Sequence, residues 1–438
     1  MVAGTQIEEA RSTVAFWRNP RRWFAEQNLG NSFWKFFLVA LCFDAGFSIY
    51  VFLFNLYLFD LHFNERMIGW IGGTMTAGSV AGLLPAGWFG KKIGTKPLIL
   101  CAVIGAPIVS IARACWTQLP AQFVLAFVTG SVLCCWGAGF LPVVASVTTE
   151  KSRPAGFSLI FSTGIAVSAF GGVVCGYLQQ WMNYVGLHWQ AAEVKRLILV
   201  CACLVAFLGV IPLATLRIPK PESKDAEVGA VRWEWLQHLG AQSFLVKFLP
   251  VMALWSGVLA AFNPFANIYL ERQLHVPMTR IGVIFSITLT AQFVLGLLAP
   301  VVFRAIGLVR GVVLMEAMVA LEFALLAVAG QAQWAIGAYL VVAGMQWMNS
   351  PGLYSLLVNR TPESDLSMAS ATLMFCNALV GAGITALTGT LLTRFGYRPV
   401  FVGIAIAAAV VALLLRITLG RDNTATSATA VADAKAVL

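Results

Sequence analysis

Asp44, Ser48, Val51 and Asn55 are spaced i, i+4, i+7, i+11, which puts them on one face of a helix. The surrounding run, about 34–60, is otherwise apolar, so this face carries a carboxylate, a hydroxyl and an amide into hydrocarbon. A carboxylate in mid-membrane costs roughly 2.5–3.5 kcal/mol on insertion scales. Such a group suits a proton carrier or a site for a substrate cation, and it equally suits a structural ion pair. Far downstream, Ser256, Ala260, Asn263 and Asn267 repeat the spacing at an offset of 212, from Asn55 to Asn267. Two such stripes can line a hydrated cavity, whereas facing lipid their polar groups would be stranded at several kcal/mol each. The partner of Asp44 is Ser256, so the repeat does not demand the acid.

Other polar residues fall inside apolar runs. Arg113 is the lone cation more than one residue from the end of such a run; it can pair with Asp44 or extend toward the outer surface. Glu316 and Glu322 share a run. Glu316 is near enough to its end to reach water, and Glu322 is deeper, suited to burial as a protonated acid or to coupling. Gln346, Trp347, Asn349, Ser350 and Pro351 form a polar, proline-interrupted stretch, and Asn263-Pro264 forms another. Proline frees a backbone carbonyl and bends a helix; such breaks occur at binding sites and also as plain packing kinks. Trp136, Tyr354 and Asn377 are further cavity candidates. The four histidines, His62, His188, His238 and His275, all lie in loops and no nucleophile–base pair is apparent, so no enzyme is expected. No metal-ligand spacing and no phosphate-binding Walker loop appear, so neither metal nor other cofactor nor ATP drive is expected.

What positions these residues is a set of membrane helices. Of 438 residues, 59% are hydrophobic and 11% charged, against roughly 25% charged in soluble domains. Twelve apolar runs are long enough to span a bilayer, at approximately 34–60, 67–89, 98–116, 121–147, 156–178, 197–216, 247–270, 279–303, 311–330, 334–358, 368–392 and 399–417. The expected fold is therefore an all-α polytopic membrane protein of twelve transmembrane helices. It divides into a cytoplasmic segment 1–33, a six-helix half 34–216, a linker 217–246, a second half 247–417 and a disordered tail 418–438. Residues 1–33 carry Phe16, Trp17, Arg18, Arg21, Arg22 and Trp23, which suit an anionic lipid surface or a topology anchor. The nine cysteines lie within apolar runs as small hydrophobes. The net charge of +10 resides in loops, mostly on one side of the membrane. That bias places both ends in the cytoplasm and argues against nucleic acid as a partner.

The halves repeat in the same sense. Asn55–Leu58 reads NLYL and Asn267–Leu270 reads NIYL; each is followed by a histidine, an arginine and a glycine, through Gly69 and Gly282. Ile93-Gly94 and Ile306-Gly307 close matching basic turns. Gly78-x3-Gly82 and Gly172-x3-Gly176 allow close helix approach.

With twelve spans, a mid-chain loop and a six-plus-six repeat, the chain from Trp34 to about Arg416 resembles the major facilitator superfamily (MFS). In the loop between spans two and three, Gly87, Gly90, Lys92, Gly94 and Lys96 fit the family motif. Lys91 stands where the family usually has Asp, and Thr95 where it often has Arg. Gly164, Gly171 and Gly172 match part of the drug-antiporter signature, but its proline is missing. The resemblance implies two pseudo-symmetric halves, with spans 1, 4, 7 and 10 lining a central cavity, and transport by alternating access. It suggests a secondary transporter of a small organic solute, proton-coupled through Asp44, in a bacterial cytoplasmic membrane; rival readings are an uncoupled facilitator and a membrane sensor or scaffold. The partners implied are the solute, a proton or other coupling ion, and membrane lipids. In the family the span 2–3 loop contacts the start of span eleven. Here the acids are exchanged to the other side, giving a latch of Lys91 and Lys92 against Glu363 and Asp365, with Arg304 facing Glu150 by pseudo-symmetry; solvated loops that only set orientation are the alternative.

Overall fold

A computed structural model describes residues 29–149, 152–185, 189–218, 244–329, 331–361 and 363–436. The basic N-terminal stretch to residue 28 and the linker residues 219–243 lie outside the described residues.

The described residues form twelve long helices. They are α1 (Asn31–Asp60), α2 (Glu65–Ile93), α3 (Thr95–Cys115), α4 (Leu119–Val147), α5 (Arg153–Tyr184), α6 (Ala191–Leu208), α7 (Phe244–Phe262), α8 (Met278–Ile306), α9 (Leu308–Val328), α10 (Ala332–Arg360), α11 (Glu363–Phe395) and α12 (Tyr397–Ala436). Each coincides with one apolar run of the sequence, because in lipid a helix satisfies every backbone group within its own segment. Ten of them, counted with their short continuations, are long and apolar enough to cross a membrane. The other two, α2 and α10, have the length, 29 residues each. Their hydropathy is diluted by glycine, threonine and amide residues, the groups used for packing and for the cavity described below.

The helix ends follow local chemistry. Asn64 caps α2 by accepting from Met67 N–H at 2.9 Å. Gln190 and Glu193 form a capping box at the start of α6. The two basic turns end on Gly94 at φ 92° and Gly307 at φ 88°, a left-handed conformation that glycine adopts without a Cβ clash. α12 continues to Ala436, through the stretch whose composition suggested a tail. That stretch is rich in alanine, the strongest helix former.

Packing reproduces the repeat. In the first half, α1 packs on α5 and α6, α2 on α4, and α3 on α4 and α6. In the second, α7 packs on α11 and α12, α8 on α10, and α9 on α10 and α12. Advancing each helix number by six converts one set into the other. The halves meet along α2·α11 and α5·α8, two seams that the same operation exchanges. Both seams are glycine-built. A Cβ on Gly69 would come within 2.8 Å of the Thr385 carbonyl, and one on Gly282 would strike the Gly172 carbonyl. Without side chains there, backbones approach closely enough to gain dispersion over a long contact. Gly78 and Gly82 instead seat α2 on α4, against Phe127 and Ser131.

Candidate functional site

The two polar stripes face each other at one end of the bundle. Asn55 Nδ2 donates to the carbonyl of Pro264 at 2.7 Å, and Asn267 Nδ2 donates to the carbonyl of Phe52 at 2.9 Å. The offset of 212 relates Asn55 to Asn267 and Phe52 to Pro264, so the two bonds form a reciprocal clamp between α1 and α7. The helix positions both amides, and the fall of the dielectric inside the bundle strengthens both bonds.

α7 breaks at this clamp. It continues as a 3₁₀ turn, Asn263–Phe265, an α-helical turn, Ala266–Ile268, and a π-helical turn, Tyr269–Gln273. Pro264 has no N–H, so the carbonyl four residues earlier, that of Ala260, loses its helical donor. Thr385 of α11 supplies a substitute, its hydroxyl donating to that oxygen at 3.3 Å. The break is thus compensated from a neighbouring helix, and the carbonyl of Pro264 is turned to use in the clamp.

Outside the clamp lies a charged cluster that sequence reasoning missed. Glu65, only 3% exposed, receives Arg272 Nη1 on both carboxylate oxygens at 2.6 Å and the Tyr397 hydroxyl at 3.4 Å. Lys195 sits 2.9 Å from Asp60 and 3.3 Å from Glu271. Glu65, Asp60 and Lys195 belong to the first half; Arg272, Glu271 and Tyr397 belong to the second. Arg66 N–H and Trp70 Nε1 add bonds to Thr393 and Thr390 at 3.0 and 3.3 Å. These bonds all lie at the end of the bundle remote from Asn31. The charged residues and Tyr397 come from five separate helix ends, and the sequence signal for the charged ones was an acid or base near the end of an apolar run.

A cavity of about 490 Å³ opens inside the clamp. α7 lines it with Ser256, Ala260, Asn263 and Pro264, α11 with Asn377, Gly381 and Thr385, α10 with Tyr354 and α2 with Thr76. Among the described residues this cavity is lined by α2, α7, α10 and α11, of which α7 and α10 belong to the implied set 1, 4, 7 and 10. α2 and α11 contribute beside their glycine seam, where the Thr385 carbonyl lies against Gly69 and the Thr385 methyl against Gly72. Ser256 Oγ donates to the Asn377 carbonyl at 3.1 Å, tying the two main walls together.

Asp44 is half-buried on α1 and packs onto Gly164 of α5, where a Cβ would sit 3.4 Å from its carboxylate. Ser48 on the next turn donates to its own helix, to the Ala45 carbonyl at 3.3 Å. Val51 between Ser48 and Asn55 is exposed.

Arg113 neither pairs with Asp44 nor reaches the surface. It is 2% exposed, its guanidinium lies 4.2 Å over the Phe54 ring, and Nε faces Gln122 Oε1 at 3.5 Å. Gln122 in turn donates to the carbonyls of Arg113 and Trp116 at 2.7 and 2.6 Å. An aromatic face and an amide thus hold this cation, which braces α1, α3 and α4. Glu316 is fully buried rather than at water, and Asn349 Nδ2 donates to it at 3.3 Å. Asn349 is therefore turned toward α9, away from the cavity. Glu322 is also buried, neither of its oxygens having a hydrogen-bond partner among the described residues, and Gln346 is buried on α10. Of the latch charges, Lys92 is exposed at the end of α2. Glu150 and the side chains of Lys91, Arg304, Glu363 and Asp365 lie outside the described residues. Among the described residues no group of His, Cys, Asp and Glu could hold a metal ion.

A sequence profile of the Major Facilitator Superfamily matches residues 36–384. Among solved structures the chain resembles a mutant of the nucleoside transporter NupG, at TM-score 0.74 and 15% identity over 89% of this chain and 100% of that one. It resembles the peptide transporter POT in complex with sulfate, at TM-score 0.70 and 15% identity over 89% and 94%. It also resembles a bacterial homolog of the human lysosomal transporter Spinster in an inward-facing and occupied conformation, at TM-score 0.66 and 14% identity over 89% and 97%. No curated protein sequence matches the chain.

Proposed function

The chain belongs to the Major Facilitator Superfamily and is a multi-pass membrane transporter, and from that premise we propose that it moves a small organic solute by alternating access, driven by protons that bind Asp44. The observation that carries this reading is the cavity at the junction of the two halves, shut at one end by the reciprocal Asn55–Asn267 clamp. A transporter of this design needs a site both halves can reach and a closure that can be undone. The clamp consists of two neutral hydrogen bonds, each contributing about 1 kcal/mol. That is weak enough for thermal opening and strong enough to bias a population.

With the N-terminus cytoplasmic, the clamp and the charged cluster close the outer side, and the cavity is reached from inside. The similar structures carry nucleosides and peptides by name, which supports a small organic cargo for this chain too. Asp44 supports proton coupling because it sits at membrane depth without an ion-pair partner among the described residues, beside Gly164 of α5, a helix of the other seam. A proton there alters the charge on one seam while solute occupies the space by the other. Lys91, Lys92, Glu363 and Asp365, with Arg304 and Glu150, serve in this reading as the latch of the inner side.

Flux of solutes into proteoliposomes, with and without a pH gradient, tests the proposal. Native protein accumulates solute only under a gradient; Asp44→Asn equilibrates it without accumulation. Uptake by native protein that ignores the gradient would reduce the reading to an uncoupled facilitator. Absence of flux for every solute that binds would leave a sensor.

A further inference from the structure

We infer that the cavity between α2, α7, α10 and α11 selects an uncharged polar solute, one that presents hydrogen-bond donors and acceptors along one edge. This inference rests on reading that cavity as the solute site of a transporter.

The four lining helices carry no Asp, Glu, Lys, Arg or His at 67–90, 248–270, 332–359 or 366–393. No rotamer change or rocking of these segments can therefore bring a counter-charge from them to a bound ion. An ion leaving water for such a cavity loses its hydration and gains no partner, a penalty that neutral solutes escape. Asp44 does not supply the missing charge, since it packs on α5.

What the cavity offers is neutral and partly unspent. The hydroxyls of Thr76, Ser256 and Thr385 are already committed to the carbonyls of Gly72, Asn377 and Ala260. Asn377 Oδ1 is buried and has no hydrogen-bond partner among the described residues. Asn263 and Tyr354 line the same space, and both residues are exposed. An unpaired buried acceptor is costly, so Asn377 favours a ligand that brings an O–H or N–H. Asn263 and Tyr354 can each donate and accept. Leu259 and Met374 give the remaining walls an apolar character suited to a ring face or short alkyl chain. The volume of about 490 Å³ falls within the range usual for small organic ligands, roughly 300–1,000 Å³.

The test uses the purified full chain in nanodiscs and solutes matched except for charge. One set is glucose, glucosamine and glucuronate; a second is uridine and uridine monophosphate; a third is cyclic and linear glycylglycine. Thermal midpoints and titration calorimetry report binding directly, without transport. In at least one set the neutral member binds and its charged siblings bind about tenfold or more weakly. Asn263→Ala and Asn377→Ala each weaken that neutral solute about fivefold or more. Asn377→Asp, a variant of nearly unchanged shape, shifts the first set toward glucosamine. The inference is overturned if no neutral member binds, if a charged sibling binds as well as the neutral one, or if both alanine variants bind like the native chain. Neutral binding without flux in proteoliposomes would sink the transporter reading and leave the selectivity standing. Flux of a charged sibling in preference to the neutral one would do the reverse.

Discussion

α1 and α7 are copies of one another, and they agree at one end and differ in the middle. At the end they present the same residue, Asn55 and Asn267, to the same acceptor position on the opposite helix. In the middle α1 is an unbroken helix of 30 residues carrying Asp44, whereas α7 breaks at Asn263-Pro264 and carries Ser256. α1 turns its acid to α5, and α7 turns its polar stripe to α11. Where the halves must close on each other, the two copies are constrained to match. In the middle they diverge: α1 keeps the charge and α7 keeps the cavity, which in the proposed function separates coupling ion from cargo.

The strongest way to break this contrast is to erase it. Asp44→Ser makes α1 like α7 and removes the proposed proton site. Under a gradient of one pH unit, accumulation driven by a single proton amounts to about tenfold, and the variant should lose all of it. Undiminished accumulation in reconstituted vesicles would mean the middle of α1 carries no coupling. Next comes Glu65→Gln, which replaces the carboxylate that one Arg272 nitrogen reaches on both oxygens with a neutral amide. Arg272, half exposed, can rehydrate, so the loss is roughly 1.5–3 kcal/mol. Spin-label distances between the neighbouring ends of α2 and α11 should then show a smaller closed population; an unchanged population would show the cluster to be ornamental to closure. Asn55→Ala and Asn267→Ala should each weaken closure by about 1 kcal/mol, and by equal amounts in the same distance measurement. A large inequality would deny that the clamp is reciprocal. The smallest effect is expected at the turns that follow the two helices. His62 and His275 occupy matching left-handed positions, φ 65° and 51°. Replacing either by glycine relieves the Cβ contact at an entropic cost, so each change stays within about 1 kcal/mol and carries the same sign. Thermal midpoints of opposite sign would show that the turns are alike in shape only.

Much of the frame could be read without coordinates. The 212 offset picks out the Asn55 and Asn267 pair, and Ile-Gly at both basic turns marks two of the left-handed glycines. Each apolar run is a helix. The charged cluster was illegible because Asp60, Glu65, Lys195, Glu271, Arg272 and Tyr397 converge only after the helices pack. Each alone resembles a charge ending a span. Arg113 misled for a related reason. A buried cation suggests a carboxylate partner, and nothing in one dimension shows that Phe54 and Gln122 stand around it. Asn349 reads as a cavity amide, yet the helical phase turns it to Glu316. The lining by α2 and α11 follows from how closely their glycine seam brings the two helices together, a property of both at once.

Pro264 belongs to two structures at once: it lines the cavity, and its carbonyl is the acceptor for Asn55. A solute that binds the open and closed clamp with different affinity would couple occupancy of the cavity to the clamp through this residue. Linkage is reciprocal. Whatever factor a bound solute applies to the equilibrium of the clamp, opening the clamp must apply to the affinity for that solute. A titration on Asn55→Ala thus reports how far a bound solute loosens the clamp, with no transport measured at all.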